Sequence, residues 1–438
     1  MYAIQSVEVA LEGTPGNIAS ASKTPSYGSS TWTALPARRA NLVSGLKKRG
    51  VPRDLMRSGP GGFPPAVPGL KNTTGAELWS AADGDKIPMW FGRIKLDLEL
   101  ETIGDGSVFF TYDEHPLVQV LLSVMGRMLP EAATDTVAAT GSVSSFEATD
   151  ASKYKVGQGF AVVLNNAVEH HIVTGKTGSV VTYSPASSTT LQVGQRIRHC
   201  YTLYPKLGTA PATIALRFVH GTRRFYAALC RLAEMSFAWE GEGESRALMV
   251  SVTVEPTVIL RNDTGAAVAD WLRPGGAIAQ WLQAYHVMSG EAVSEMGTPA
   301  AATRSVLSLH SWEATWRWGL ASAGGAPEAI TGRSNTEITS CALAVKIESE
   351  PNANLEAMFE REEQRFFAFG CGPGGRGSSL DAQGVALIVP SGSFTEGQGF
   401  DEVQERYRVS GTLQSGLWSH DAASDDAGNT SWRILLPL

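Results

Sequence analysis

Apolar and polar positions alternate through the middle of the chain. Met235, Phe237 and Trp239 interleave with Glu234, Ser236 and Ala238; Leu248, Val250, Val252 and Val254 interleave with Met249, Ser251, Thr253 and Glu255. Successive strand side chains point to opposite faces, so each run predicts a strand with one apolar and one mixed face. Glu240-Gly241-Glu242-Gly243-Glu244-Ser245 lies between them, with glycines suited to a reversal. Residues 234–255 are therefore expected to form a β-hairpin, which needs a surrounding sheet to be stable.

The same alternation predicts a strand at Ile94, Leu96, Leu98 and Leu100, and Val108-Phe109-Phe110 reads as another. Asp113 can cap a helix that Pro116 opens, with Leu117, Val120, Leu121, Val124 and Met128 at helical spacing. Residues 141 to about 200 carry short strands such as 160–164 and 179–183, with Gly157, Gly159, Gly175 and Gly178 as turn residues. This predicts a small inserted β-barrel. Ile278, Trp281, Leu282 and Tyr285 lie at helical spacing and predict helical patches in a linker. Trp312, Ala314, Trp316 and Trp318 then alternate with Glu313, Thr315 and Arg317, and Cys341, Leu343, Val345 and Ile347 do likewise with their neighbours. Further strands are expected at 366–369, 385–389, 407–409 and 432–436.

Residues 1–90 lack this periodicity. Pro and Gly punctuate them, a basic cluster holds Arg38, Arg39, Lys47, Lys48, Arg49 and Arg53, and Trp32, Phe63, Leu78, Trp79 and Trp90 offer anchors. They are expected as an extended arm. The domain plan is then the arm at 1–90, a first β-sandwich at 91–260 holding the insert, a linker at 261–300 and a second β-sandwich at 301–438. Cys230-Arg231-Leu232-Ala233 and Cys341-Ala342-Leu343-Ala344 echo one another and suggest internal duplication.

With 438 residues, 43% of them hydrophobic, the chain can bury more than one core; 18% charged residues and 46 glycines fit a loop-rich β protein. The net charge of -7 argues against a surface that grips nucleic acid. Met1-Tyr2-Ala3-Ile4-Gln5 lacks the basic start and apolar run of a signal peptide, and no apolar run is long enough for a membrane span. Cys200, Cys230, Cys341 and Cys371 are widely spaced, which predicts buried free thiols.

Catalytic chemistry finds little footing. Gly370, Gly372 and Gly375 satisfy a Gly-x-Gly-x-x-Gly pattern, but a strand rather than a helix is expected next, so phosphate has no helix terminus to meet. His170 and His171 are adjacent in an expected strand and point to opposite faces, so they cannot easily share a metal ion. Asp425-Asp426 and Glu362-Glu363 read as loop or turn charges. The chain is expected to be no enzyme, with no catalytic residue, cofactor or metal.

The order of elements carries a resemblance. The strand at 92–100, the helical stretch 116–126, an insert, a Cys-containing strand and a hairpin resemble the tail tube (major tail) proteins of long-tailed bacteriophages. Residues 389–397 and 429–434 are similar to strands of structural phage proteins. The resemblance implies a mainly β fold: two tube-type β-sandwich or barrel domains with a flanking short helix, plus the small inserted module. It also implies a virion protein, assembled in the bacterial host cytoplasm. Such a protein forms stacked rings and guides DNA through a lumen that need not be basic. The partners implied are further copies of the chain, the tape measure, the tail terminator and the tail tip, with DNA only in transit and no membrane insertion. Two tube-like domains per chain would give trimeric rings of six similar domains. Arg49, Arg53, Phe63, Trp79, Trp312, Trp316 and Trp318 are the expected subunit contacts, with sheet core as the other reading of the three Trp residues, because aromatics favour half-buried strands. The alternative is a virion-surface adhesin or carbohydrate-binding β-sandwich that uses the Trp312, Trp316 and Trp318 stripe to stack on sugars.

Overall fold

Two runs of strands follow one another in the same order along the chain. The computed structural model describes residues 4–11, 32–35, 37–43, 47–48, 89–99, 116–165, 167–206, 213–243, 246–256, 258–261, 281, 284–293, 303–324, 333–371, 384–396, 400–403, 406–416 and 431–437. The fold is mainly β.

The first run comprises β1 (Ile4–Leu11), β2 (Thr33–Ala34), β3 (Ala37–Leu42), β4 (Lys47–Lys48), β5 (Met89–Phe91), β6 (Ile94–Glu99), helix α1 (Pro116–Leu122) and β7 (Met125–Met128). Next come β8 (Thr134–Ser142), β9 (Ser145–Ala148), β10 (Gly159–Leu164), β11 (Ala167–Thr177), β12 (Val180–Ser184) and β13 (Arg196–Pro205). The run closes with β14 (Ile214–His220), β15 (Arg223–Glu240), β16 (Ala247–Glu255) and β17 (Val258–Arg261). The second run comprises β18 (Ala284–Ser289), β19 (Arg304–Val306), β20 (Leu309–Gly324), β21 (Arg333–Ser349) and helix α2 (Ala353–Arg361). It continues with β22 (Arg365–Cys371), β23 (Val385–Glu396), β24 (Phe400–Val403), β25 (Arg406–Ser415) and β26 (Arg433–Pro437).

The pairings reveal an internal repeat. In the first run β1 pairs with β2 and β14, β14 with β15, β15 with β16 and β17, β3 with β6, and β6 with β16, all antiparallel. In the second run β18 pairs with β19 and β22, β22 with β23, β23 with β25 and β26, β20 with β21, and β21 with β25, again antiparallel. Strand for strand these are the same connections, and each repeat sends a helix out of the same strand, α1 after β6 and α2 after β21.

Each repeat bends one long strand between two sheets. Phe225–Ala228 of β15 pair with β14 and β17, whereas Arg231–Glu240 pair with β16. In β23, Val385–Val389 pair with β22, and Gly392–Glu396 pair with β25. Pro390 sits at that changeover, where the ladder to β22 shifts register and a missing N–H is tolerated.

The repeats are fused. β15 pairs with β20, so the order β3-β6-β16-β15-β20-β21-β25-β23 is one continuous eight-stranded array. One hydrophobic cluster runs beneath it, from Val7, Leu96 and Phe237 to Trp316, Leu343 and Val385.

Between α1 and β14 lies a closed barrel. Its strands pair in the circle β8-β9-β12-β11-β10-β13-β8 around Phe146, Tyr154, Phe160 and Tyr183. β13 belongs to barrel and body at once: Arg196–Arg198 pair with β8, and Cys200–Leu203 pair with β26.

The hairpin at 234–255 is present, with Phe237 opposite Val250. Several expectations need correction. Residues 1–90 are not simply an arm: β1 and β3 are integral strands, with Val7, Val9 and Leu42 in the core. The second repeat starts at Ala284 rather than 301. Tyr285, expected on a helix, lies in β18, where its partner is Gly370; Ile278 and Leu282 lie outside the described residues. The barrel begins at Thr134, not 141. Helix α1 stops at Leu122, and Met125 and Met128 continue as a strand. All seven α1 residues are buried, because β1, β7 and β15 enclose the helix in place of the expected single packed stripe. Cys230 and Cys341 do not mark the repeat: Cys230 lies in β15, the counterpart of β23, and Cys341 lies in β21, the counterpart of β6. Leu100, Val108–Phe110 and Asp113 lie outside the described residues.

Candidate functional site: the polar face of the long sheet

Alternation gives the eight-stranded array a dry face and a wet one. On the dry face, Leu98, Val250, Phe237, Ala314, Val345, Leu413 and Phe394 form one cross-strand row. All of these are buried except Phe394, at the end of the row, which is half-buried. The next row on the wet face reads Arg39, Asp97, Ser251, Ser236, Thr315, Ala344, Gln414 and Ser393. Every member is half-buried or exposed. A second wet row runs Asn41, Lys95, Thr253, Glu234, Arg317 and Ala342.

Charge on this face is matched across strands. Arg39 stands opposite Asp97, Glu234 opposite Arg317, and Glu313 opposite Lys346. The Ser251 hydroxyl donates to the Asp97 carboxylate, Lys95 lies 3.9 Å from that carboxylate, and Arg408 pairs with Glu348. Opposite charges across a strand pair are mildly favourable, and among the described residues Arg39 and Lys95 share Asp97 while Arg317, Lys346 and Arg408 are each matched by a carboxylate of a neighbouring strand. The face is wide and hydroxyl-rich, with its charges balanced.

The Trp stripe is on the other face. Trp312, Trp316 and Trp318 are 3%, 0% and 6% exposed, so they are neither a subunit contact nor a sugar platform. They alternate with Glu313, Thr315 and Arg317, and the polar set takes the wet side. Trp316 packs edge-on against Phe237 and Trp432, and the Trp312 indole donates to His286 Nε2 at 3.0 Å. Arg49, Arg53, Phe63 and Trp79 lie outside the described residues.

A second cluster, not singled out in the sequence, holds the barrel to the body. Ala161, Val168, Ile172 and Cys200 on the barrel's outer surface pack on Val287, Phe366, Ala386 and Leu435. Gly159 of β10 lies so close to β26 that a Cβ there would meet Leu435 at 2.3 Å. Three consecutive residues of β11 are polar and buried: Glu169, His170 and His171. Glu169 Oε2 accepts from Arg304 of β19 at 2.7 Å and from the Ser188 N–H at 3.0 Å. Burial pushes the Glu169 carboxyl up, but His171, the Ser188 N–H and Arg304 together outweigh it and hold the group below the usual carboxylate range.

His170 and His171 do point to opposite faces. Tyr285 Oη accepts the His170 backbone N–H at 2.7 Å and lies 3.0 Å from His170 Nδ1, within hydrogen-bond distance of that ring nitrogen. His171 Nδ1 lies 2.8 Å from the Pro185 carbonyl and so donates, leaving Nε2 bare 3.8 Å from Glu169. Both rings are held neutral, chiefly by burial: His170 is pushed down to about 3 and His171 to about 4. This cluster fastens two parts of the chain together. No protein-family model and no curated protein matches the chain.

Proposed function

We propose that the chain is a structural virion protein, the subunit of a phage tail tube that assembles from stacked rings and conducts DNA. The observation that carries this reading is the fusion of two like repeats into one sheet with a charge-balanced polar face. A wall past which DNA slides must be wet, and it must not offer unpaired Lys or Arg, because phosphate binding comes from cations that replace condensed counterions. The paired charges and hydroxyls of the wet face meet both demands. The dry face gives the wall its rigidity. Three chains would then supply six repeats to one ring.

Electron microscopy of the purified protein across a range of concentrations tests this. Hollow rings or stacked tubes with threefold symmetry and six lobes are the expected result. Particles that stay monomeric at every concentration, including after addition of tail tips as nuclei, would refute it.

A further inference from the structure

The chain contains its own example of how one repeat joins the next. At the internal seam, β15 of the first repeat lies antiparallel to β20 of the second, with Met235 opposite Trp316 and Phe237 opposite Ala314. The counterpart of β15 is β23 with its continuation β24, and the counterpart of β20 is β3. These two counterparts end the array. Among the described residues β3 pairs only with β6, and Ser393–Glu396 and β24 pair only with β25.

We propose that a second copy of this chain lays its β3 antiparallel along the β23–β24 edge, repeating between molecules the seam that β15 and β20 make within one. This rests on the self-assembly reading above and specifies which strands meet. Two further features support it. Phe394 is the dry-face residue at the open edge. It stacks on Phe359 of α2 with ring centroids 4.0 Å apart, yet stays half-buried, whereas Phe237 at the internal seam is sealed by Trp316. At the opposite end, Val43, directly after β3, is 47% exposed. A neighbouring chain would cover both. The contact is heterologous, joining one end of the array to the other end of the next copy, so it propagates and closes into a ring when the rotation allows. It also removes both open sheet edges, which otherwise invite uncontrolled pairing.

Cysteine pairing reads this directly. Opposed residues of an antiparallel pair have Cα atoms roughly 4.5–5.5 Å apart, within disulfide range. The full chain would carry Ser393→Cys or Thr395→Cys combined with Arg39→Cys or Asn41→Cys, all on the wet face. Under mild oxidation at least one combination should give a reducible ladder of linked chains, absent from every single variant. Backbone amides of β3 and of residues 393–403 should also exchange hydrogen at least tenfold more slowly in rings than in free chains. If rings form in micrographs but no ladder appears and both stretches exchange as in the free chain, the seam is wrong while tube assembly stands. If no rings form under any condition, the assembly reading fails and the seam falls with it.

Discussion

Ser236 of β15 lies directly opposite Thr315 of β20, and at this pair two copies of one folding unit become a single sheet. On the dry side of the same junction Phe237 meets Trp316 edge-on with ring centroids 4.8 Å apart. The seam is therefore a core contact on one side and a stretch of polar wall on the other. Neither repeat can be lifted away without exposing Trp316, which is fully buried.

The shared core sets the cooperativity. We expect Phe237→Ala to cost about 3–5 kcal/mol, the usual range for truncating a large buried aromatic. Both repeats should be affected together. Urea unfolding followed by tryptophan fluorescence and by far-ultraviolet circular dichroism should give coincident curves, shifted equally in the variant. Separate transitions for the two repeats would contradict the single core.

The barrel should come loose when Arg304 is removed. Arg304→Met leaves Glu169 as a buried carboxylate with only the Ser188 N–H donating to it and the neutral His171 ring 3.8 Å away, and breaking one side of a buried pair typically costs about 3–5 kcal/mol. Glu169→Gln in the same chain removes the stranded charge, so the double variant should be more stable than Arg304→Met alone. Limited proteolysis within 134–199 is the readout. Equal protease resistance in wild type and Arg304→Met would mean that the apolar contacts alone seat the barrel.

How much of this was legible beforehand depends on whether the signal is local. Alternation in Leu248, Val250, Val252 and Val254 placed β16 correctly, because one buried face imposes period two on the strand. Tyr285 misled for the same local reason: by chance it falls at helical spacing from Trp281, while its real partner Gly370 is far away in sequence. The strand β1 carries its own alternation at Val7, Glu8 and Val9, a signal hidden by the Pro- and Gly-rich residues that follow. The Trp stripe was read correctly as one face of a strand, but a single strand does not say which face the rest of the chain will cover. The repeat itself resides in pairings. Ile94–Glu99 and Cys341–Glu348 share little beyond alternation, so sequence comparison had nothing to grip, and the Cys echo fell on strands that are not counterparts. The Glu169–Arg304 pair spans 135 positions and has no local trace.

Acid should release the barrel before it dissolves the body. His170 and His171 sit at about 3 and 4 in the folded chain, below the ordinary histidine value near 6.5. Their folded values are depressed, so their contribution to stability is complete above about pH 6.5. It declines as pH falls from there toward 4, by about 1.4 kcal/mol per pH unit for each ring. Protonating His170 places a charge on a fully buried ring whose Nε2 has no hydrogen-bond partner among the described residues. The His170 ring stacks on Tyr285 and is influenced by His171, while Tyr285 in turn is influenced by Glu169, Arg304 and Cys200. Protonating His171 places a second cation beside Glu169, in competition with Arg304. Hydrogen exchange at pH 7 and pH 5 should show β10 and β11 losing protection first, and His170→Gln should flatten that difference. Uniform loss across the chain at pH 5 would place the acid-sensitive step elsewhere, for example at His286, which burial also pushes down to about 3.

The wet face can be converted from a wall into a grip. Ser236, Thr315 and Gln414 lie in one row with only Ala344 between Thr315 and Gln414, and none of the three lies on the dry face. Ser236→Lys, Thr315→Lys and Gln414→Lys together would add cations without opposing carboxylates in that row. Surface changes of this kind should leave stability within about 0.5 kcal/mol per site. The wild-type protein should show no duplex binding at physiological salt. The triple variant should bind, with log affinity falling against log salt at a slope of about -0.9 for each phosphate neutralised. Fluorescence anisotropy of a labelled duplex measured across a salt series separates the cases. Strong, salt-sensitive binding by the wild type would remove the central argument for a conduit wall, because a surface that already holds phosphate cannot let DNA slide past freely. Absence of binding by the triple variant, with its fold intact by circular dichroism, would instead mean that this face is closed to DNA.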